Sequence, residues 1–150
     1  VRKVLVIGST NWRDRRSTTA ALKRVIQVYR PPYTLLVEDS GDGTARYASA
    51  VAGELGWTVQ PYKVDPKCAA DCVPGHRRPG GPNGDFCPTA TRRAFVAQLD
   101  TGIDVVLVLM HPQGRETGQR FGQTEARARG IAVWEYKPAR REATDGDQAG

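Results

Sequence analysis

The sequence predicts an α/β domain, a Rossmann-like three-layer sandwich on a mainly parallel five-stranded sheet, with a metal-stabilised loop insertion. Three observations carry this. The runs Val4-Leu5-Val6-Ile7, Leu35-Leu36-Val37 and Val105-Val106-Leu107-Val108-Leu109-Met110 are aliphatic without alternation. Strands of that kind need cover on both faces, as in a parallel sheet between helix layers. Segments of helical spacing separate the strands, the alternation that builds such a sandwich. The first two strands each break at glycines and small polar residues before a helix, which is how ligand-side turns of open parallel sheets are made.

The first strand ends in Gly8-Ser9-Thr10-Asn11-Trp12, and Gly8 there permits close backbone approach. Leu22, Val25, Ile26 and Tyr29 then recur at helical spacing, so a helix is expected over 18–29, capped by Ser17 and stopped by Pro31-Pro32. Residues 33–37 form the second strand. Glu38-Asp39-Ser40-Gly41-Asp42-Gly43-Thr44 turns into a helix over 45–55, whose free amide groups suit an anion. Gly56 closes that helix, and residues 57–62 alternate as a third strand.

Between Val64 and Pro88 the pattern fails: five prolines, four glycines and all three cysteines fall there, with almost no apolar period. So long a loop in a compact domain is functional, disordered or held by something other than a core. A helix over 89–99 follows, then the most apolar strand at 104–110, a loop at 111–117, a helix over 118–129 and a last strand at 131–136. The domain is expected over 1–137, with a flexible, apolar-poor tail over 138–150.

Right-handed crossovers favour the strand order 3-2-1-4-5. That order places the loops after the first and fourth strands side by side. Gly8, Ser9, Trp12, His111 and Gly114 should then border one crevice, adjoined by residues 39–44.

Composition limits the partners. The excess of 22 Lys+Arg over 16 Asp+Glu gives a net charge of +6, which fits an anionic partner or simply a solvated surface. No run approaches the roughly 20 apolar residues of a membrane span, and no signal-peptide pattern opens the sequence. A soluble, cytoplasmic protein without membrane contact is expected.

The most specific chemical signal is Cys68-x3-Cys72-x3-His76-x10-Cys87. Three thiolates and one imidazole make a closed tetrahedral set of the structural zinc type, and binding would order a segment that has no core. A disulfide between two of the cysteines, or three unconnected thiols, are the alternatives. Metal closure would gather Arg77 and Arg78 with Arg92 and Arg93 near the ligand edge, as a phosphate clamp or as a solvated basic face. Trp12 either stacks on a base or ribose or covers the sheet edge. His111 is either a general base or a hydrogen-bonded loop residue. Asp39 and Asp42 either hold a magnesium ion on a nucleotide or form the turn.

The residues Val4-Leu5-Val6-Ile7-Gly8-Ser9 with Trp12, the Gly-rich second turn, Glu54-Leu55-Gly56-Trp57, Arg92-Arg93, and Gly118 ahead of Gly130-Ile131 resemble the YspA/cpYpsA-related branch of the SLOG superfamily. These are Rossmann-like proteins akin to the Lonely-guy phosphoribohydrolases and the DNA-processing protein A fold. The resemblance spans residues 3–136. It implies a nucleotide-type ligand at the first turn (Gly8, Ser9, Trp12), the second turn (Ser40, Gly41, Gly43), Arg92, Arg93, and the region from His111 to Gly118. It also implies a homodimer, and YspA-like proteins carry a similar Cys, Cys, His, Cys insertion before an arginine-rich helix.

The sequence departs from that pattern at the side chains of acid–base chemistry. Glu38-Asp39-Ser40 replaces His-Gly-Gly, Ala45 and Ala94 replace polar residues, and Gly122 stands where Lonely-guy enzymes place a catalytic Glu. Three functions follow from different classes: binding or sensing of a nucleotide or nucleotide-derived ligand, with a structural zinc; a SLOG-type nucleotide or NAD-derivative hydrolase with altered catalytic residues; and a nucleic-acid-binding module. The missing Glu weighs against the second, and the scarcity of aromatic stacking platforms against the third. Binding is the expectation.

Overall fold

Strand β1 (Arg2–Gly8) runs through the middle of a parallel sheet, between β2 (Tyr33–Glu38) and β6 (Val105–Leu109). Outside these lie β3 (Thr58–Tyr62) and β7 (Ala132–Tyr136), giving the order β3-β2-β1-β6-β7 with every pairing parallel. Counted along the main sheet alone this is the predicted 3-2-1-4-5. The computed structural model describes residues 1–68, 70, 72–73, 78–81, 84–112 and 117–138, of which 78–81, 84–86 and 117–119 are described by backbone alone. The expected tail lies outside the described residues beyond Pro138, as do His76, Arg77 and Gly114.

Period two sorts the strand residues between two cores. Val4, Val6, Leu35, Val37, Val105, Leu107 and Leu109 face α1 (Arg15–Val28) and α2 (Gly43–Glu54). Leu5, Ile7, Leu36, Val106 and Val108 face the other way, where Phe95 and Leu99 of α3 (Ala90–Leu99) and Ala126 of α4 (Thr117–Ala128) close over them. All five residues of β6 are fully buried, which is why an unbroken aliphatic run was needed there. Among the described residues no helix is long and apolar enough to cross a membrane.

Helix α1 starts three residues earlier than expected. Asp14, not Ser17, is its cap: the Asp14 carboxylate accepts from Ser17 N at 2.9 Å and from Ser17 Oγ at 2.9 Å. Ser17 instead occupies the first turn, where it supplies donors to the cap. The 64–88 insertion contains a two-stranded antiparallel sheet, β4 (Arg78–Gly81) with β5 (Gly84–Phe86), built on the turn-rich stretch at 79–84. Its two ends are pinned together by Cys87 N donating to Pro66 O at 2.7 Å.

Gly8, which lies at the carboxyl edge of the sheet, is required by packing inside the chain. A Cβ there would sit 2.1 Å from Leu109 O and 2.5 Å from Thr44 Oγ1. Gly53, exposed on α2, has open space where its Cβ would be. Gly8→Ala is therefore expected to cost roughly 1–3 kcal/mol or more by overpacking, whereas Gly53→Ala gains about 0.5–1 kcal/mol from helix propensity. Denaturant melts of the two variants check the contrast, and a neutral Gly8→Ala would contradict it.

Candidate functional site

The loops at the carboxyl edge of the sheet meet at Ser9. Its amide donates to Leu109 O at 3.0 Å, tying the end of β1 to the end of β6. Its carbonyl accepts from Thr44 N at 3.2 Å and Thr44 Oγ1 at 2.8 Å, and Thr44 Oγ1 also lies 3.2 Å from Leu109 O. Its hydroxyl accepts from His111 N at 2.9 Å and lies 2.9 Å from Met110 Sδ. A fully buried serine thus joins three loops with both backbone groups and its side chain. Gly43, at φ +41°, completes the junction: a Cβ there would fall 2.2 Å from Thr10 O, so only glycine lets α2 start this close to the first turn.

Beside this junction a cleft of about 390 Å³, mouth included, opens over the ends of β1 and β2. Ser9, Thr10, Ser40, Asp42 and Thr44 supply part of its wall, and Glu38 and Tyr62 another. Asp42 caps α2 by backbone only, with no side-chain hydrogen bond to the helix, so the first-turn amides are not covered by its carboxylate. Glu38 and Tyr62 are register partners at the ends of β2 and β3. The Tyr62 hydroxyl is buried with no hydrogen-bond partner. Burial lifts the Glu38 carboxyl above the ordinary carboxylate range. Burial, then the charge of Glu38, pushes the Tyr62 phenol well up as well.

The cysteines form a second centre at the same edge. The sulfurs of Cys68, Cys72 and Cys87 all lie within 4.8 Å of one another, with Cys72 Sγ and Cys87 Sγ 3.8 Å apart. All three are unbridged thiols. They could hold a metal ion, and the Cys72–Cys87 pair has the spacing of two thiolates on one tetrahedral ion, about 3.8 Å for bonds of about 2.3 Å. Desolvation, then Cys87 and Cys72, pushes the Cys68 thiol up to about 11. The expected fourth ligand, His76, lies outside the described residues.

Several predicted ligand residues take other places. Trp12 is fully buried among the α1 and α2 core residues, with its indole Nε1–H donating to Thr18 Oγ1 at 2.8 Å. It covers the sheet and has no free ring face for stacking. The arginine pair divides: Arg93 turns back to the cysteines, donating to Lys67 O at 2.7 Å, and a hydrogen bond to Cys87 with the charges of Cys87 and Cys72 pushes its pKa up. Arg92 remains exposed, its guanidinium 5.2 Å from the Phe121 ring centroid. Ser40 and Gly41 are exposed in the second turn, where φ of +72° requires Gly41 for the backbone. Gly118 is the second residue of α4. His111, half-buried, follows β6 directly.

No family model matches the chain. The Gene 61 protein of Mycobacterium phage D29 is 30% identical to it over 135 residues, which make up 89% of this chain and 94% of that protein. The chain belongs to that protein's family.

Glu38 and Tyr62 were not singled out from the sequence. A glutamate at the start of an Asp/Ser/Gly turn reads as solvated, and only the register of β2 against β3 sets it beside a buried tyrosine. Glu38 has a folded-state pKa above its unfolded one, so the penalty is absent below the unfolded pKa and grows as pH rises through the folded pKa. Glu38→Gln is expected to raise the thermal midpoint at about pH 7, with the gain vanishing near pH 4. A loss of stability at neutral pH, or a gain indifferent to pH, would contradict this.

Proposed function

We propose that the protein binds a nucleotide or nucleotide-derived small molecule at the carboxyl edge of the sheet, beside a structural zinc site. The observation that carries the reading is the position of the cleft. It lies over the carboxyl ends of β1, β2 and β3, on the β2 side of the β1–β6 junction where the strand order reverses, bounded by the Ser9-Thr10 turn and the start of α2. Open parallel sheets take their ligands there, in a crevice outside the carboxyl ends of the strands. The resemblance to YspA-like SLOG proteins points the same way and supplies the nucleotide class.

Zinc fits the cysteine centre by ligand softness and by the count of Cys68, Cys72 and Cys87 with His76 as fourth ligand. A closed set of that kind holds a fold and leaves no open position for a substrate. Arg93 would then donate to a metal-bound sulfur, the outer-shell contact that steadies a thiolate ligand.

Binding is favoured over Lonely-guy-type hydrolysis by the packing at Gly122. A Cβ there would lie 2.9 Å from the Phe95 ring and 3.1 Å from Ile7 Cδ1, so a carboxylate side chain at that position would have to displace the buried Phe95 ring. Glu125, one turn further along α4, pairs with Arg129 at 3.6 Å, toward the end of the helix away from the cleft.

Native mass spectrometry of protein purified without chelator tests both parts. One zinc per chain is expected, lost on Cys87→Ser, together with a nucleotide-sized adduct on part of the population or on added AMP, and no release of adenine from that AMP. Absence of stoichiometric metal would overturn the zinc site. Absence of any nucleotide adduct across a panel of nucleotides would overturn the ligand.

A further inference from the structure

The cleft has a chemical bias that the word nucleotide does not contain. Among the described residues its wall carries two carboxylates, Glu38 and Asp42, and no lysine or arginine. A phosphate seated deep in it would meet those two carboxylates with no lysine or arginine side chain among the described lining residues to offset them. Neither is it shaped for a base: Trp12 is enclosed in the core, Phe95 is 1% exposed, and among the described lining residues no pair of aromatic faces stands open to sandwich a ring. What the cleft does offer is unpaired hydrogen-bonding capacity. The Tyr62 hydroxyl is buried without a partner. The Glu38 carboxyl has neither an ion pair nor a hydrogen bond among the described residues, and the two side chains are neighbours in register across β2 and β3. Leaving such groups unmatched in the folded chain is costly, and a ligand that donates to the carboxylate and pairs with the phenol offsets the cost.

A carboxylate is an acceptor at two oxygens, and a phenol both donates and accepts. Neighbouring hydroxyls on one ring match that pair: two O–H donors reach the two carboxylate oxygens, and one hydroxyl oxygen accepts from the phenol. Resting on the nucleotide reading above, we infer that Glu38 and Tyr62 form a subsite for the vicinal 2′,3′-hydroxyls of a ribose, so that the sugar enters the cleft and the phosphates lie outside it. The protein then selects ribonucleotides against their 2′-deoxy forms. A site built to hydrogen-bond a hydroxyl rejects the analogue lacking it, because its own polar groups are left unpaired.

Calorimetric titration of the full chain with AMP, 2′-deoxy-AMP, GMP and 2′-deoxy-GMP tests the subsite. Within each base the ribo form is expected to bind roughly 10- to 100-fold more tightly, the range for a hydrogen bond to a charged group. Glu38→Gln, and more mildly Tyr62→Phe, should shrink that ratio towards one. The wild-type comparison alone is decisive should either variant fold poorly. Ribo and deoxy forms binding equally, or a ratio unchanged in Glu38→Gln, overturns the subsite and leaves the nucleotide reading standing. No saturable binding of any of the four, nor of any member of the wider nucleotide panel, overturns both.

Discussion

The carboxyl edge of this protein depends on the burial of Ser9. The strands β1 and β6 run side by side up to Gly8 and Leu109, and the chain must then turn two loops apart without leaving peptide groups unmatched. Ser9 does this by giving its amide to Leu109 O and its carbonyl to Thr44, while its hydroxyl accepts from His111 N. The arrangement demands glycine on either side of the junction: Gly8, where Leu109 O occupies the place of a Cβ, and Gly43, where Thr10 O does. Buried polar groups this closely matched admit little adjustment. The cleft beside them therefore has one wall fixed by the fold itself, and its other wall, Glu38 and Tyr62, is fixed by strand register.

The cysteine centre solves a separate problem at the same edge. Residues 64–88 bring no aliphatic run of their own, so the segment cannot be held by burial alone. Cys87, almost fully buried, roots the returning end through its amide to Pro66 O, and Arg93 ties the start of α3 to Lys67 O. Three sulfurs thus converge beside the first turn of α3. A metal there would act on the insertion and leave the two aliphatic cores, which lie on either side of the sheet, unaffected.

Much of the fold was legible because buried parallel strands and amphipathic helices leave strong periods. The runs at residues 4–7, 35–37 and 105–109 became central strands in the predicted order. The ligand edge was legible as a place but less so as a set of side chains. Sequence position says that Trp12 follows a turn, yet not that the chain there folds inward so that its indole meets Thr18 in the first turn of α1. Glycine at residue 8 signals close approach without saying what approaches, and the partner is Leu109 of the chain itself. Arg92 and Arg93 are adjacent in sequence but point apart, since neighbours on a helix are about 100° apart around its axis. Glu38 and Tyr62 lie far apart in the chain, and nothing local marks them as a pair.

The central claim is that the ligand sits at the cleft beside the Ser9 junction. Amide chemical-shift mapping with AMP on the uniformly labelled chain tests it most directly. The perturbed amides are expected to cluster at Thr10, along Glu38 to Ala45 and at Tyr62, with the opposite end of the sheet, around Thr101 to Asp104, silent. Saturable shifts confined to that opposite end, or spread over the outer faces of α1 and α4 with the cleft unchanged, would contradict it.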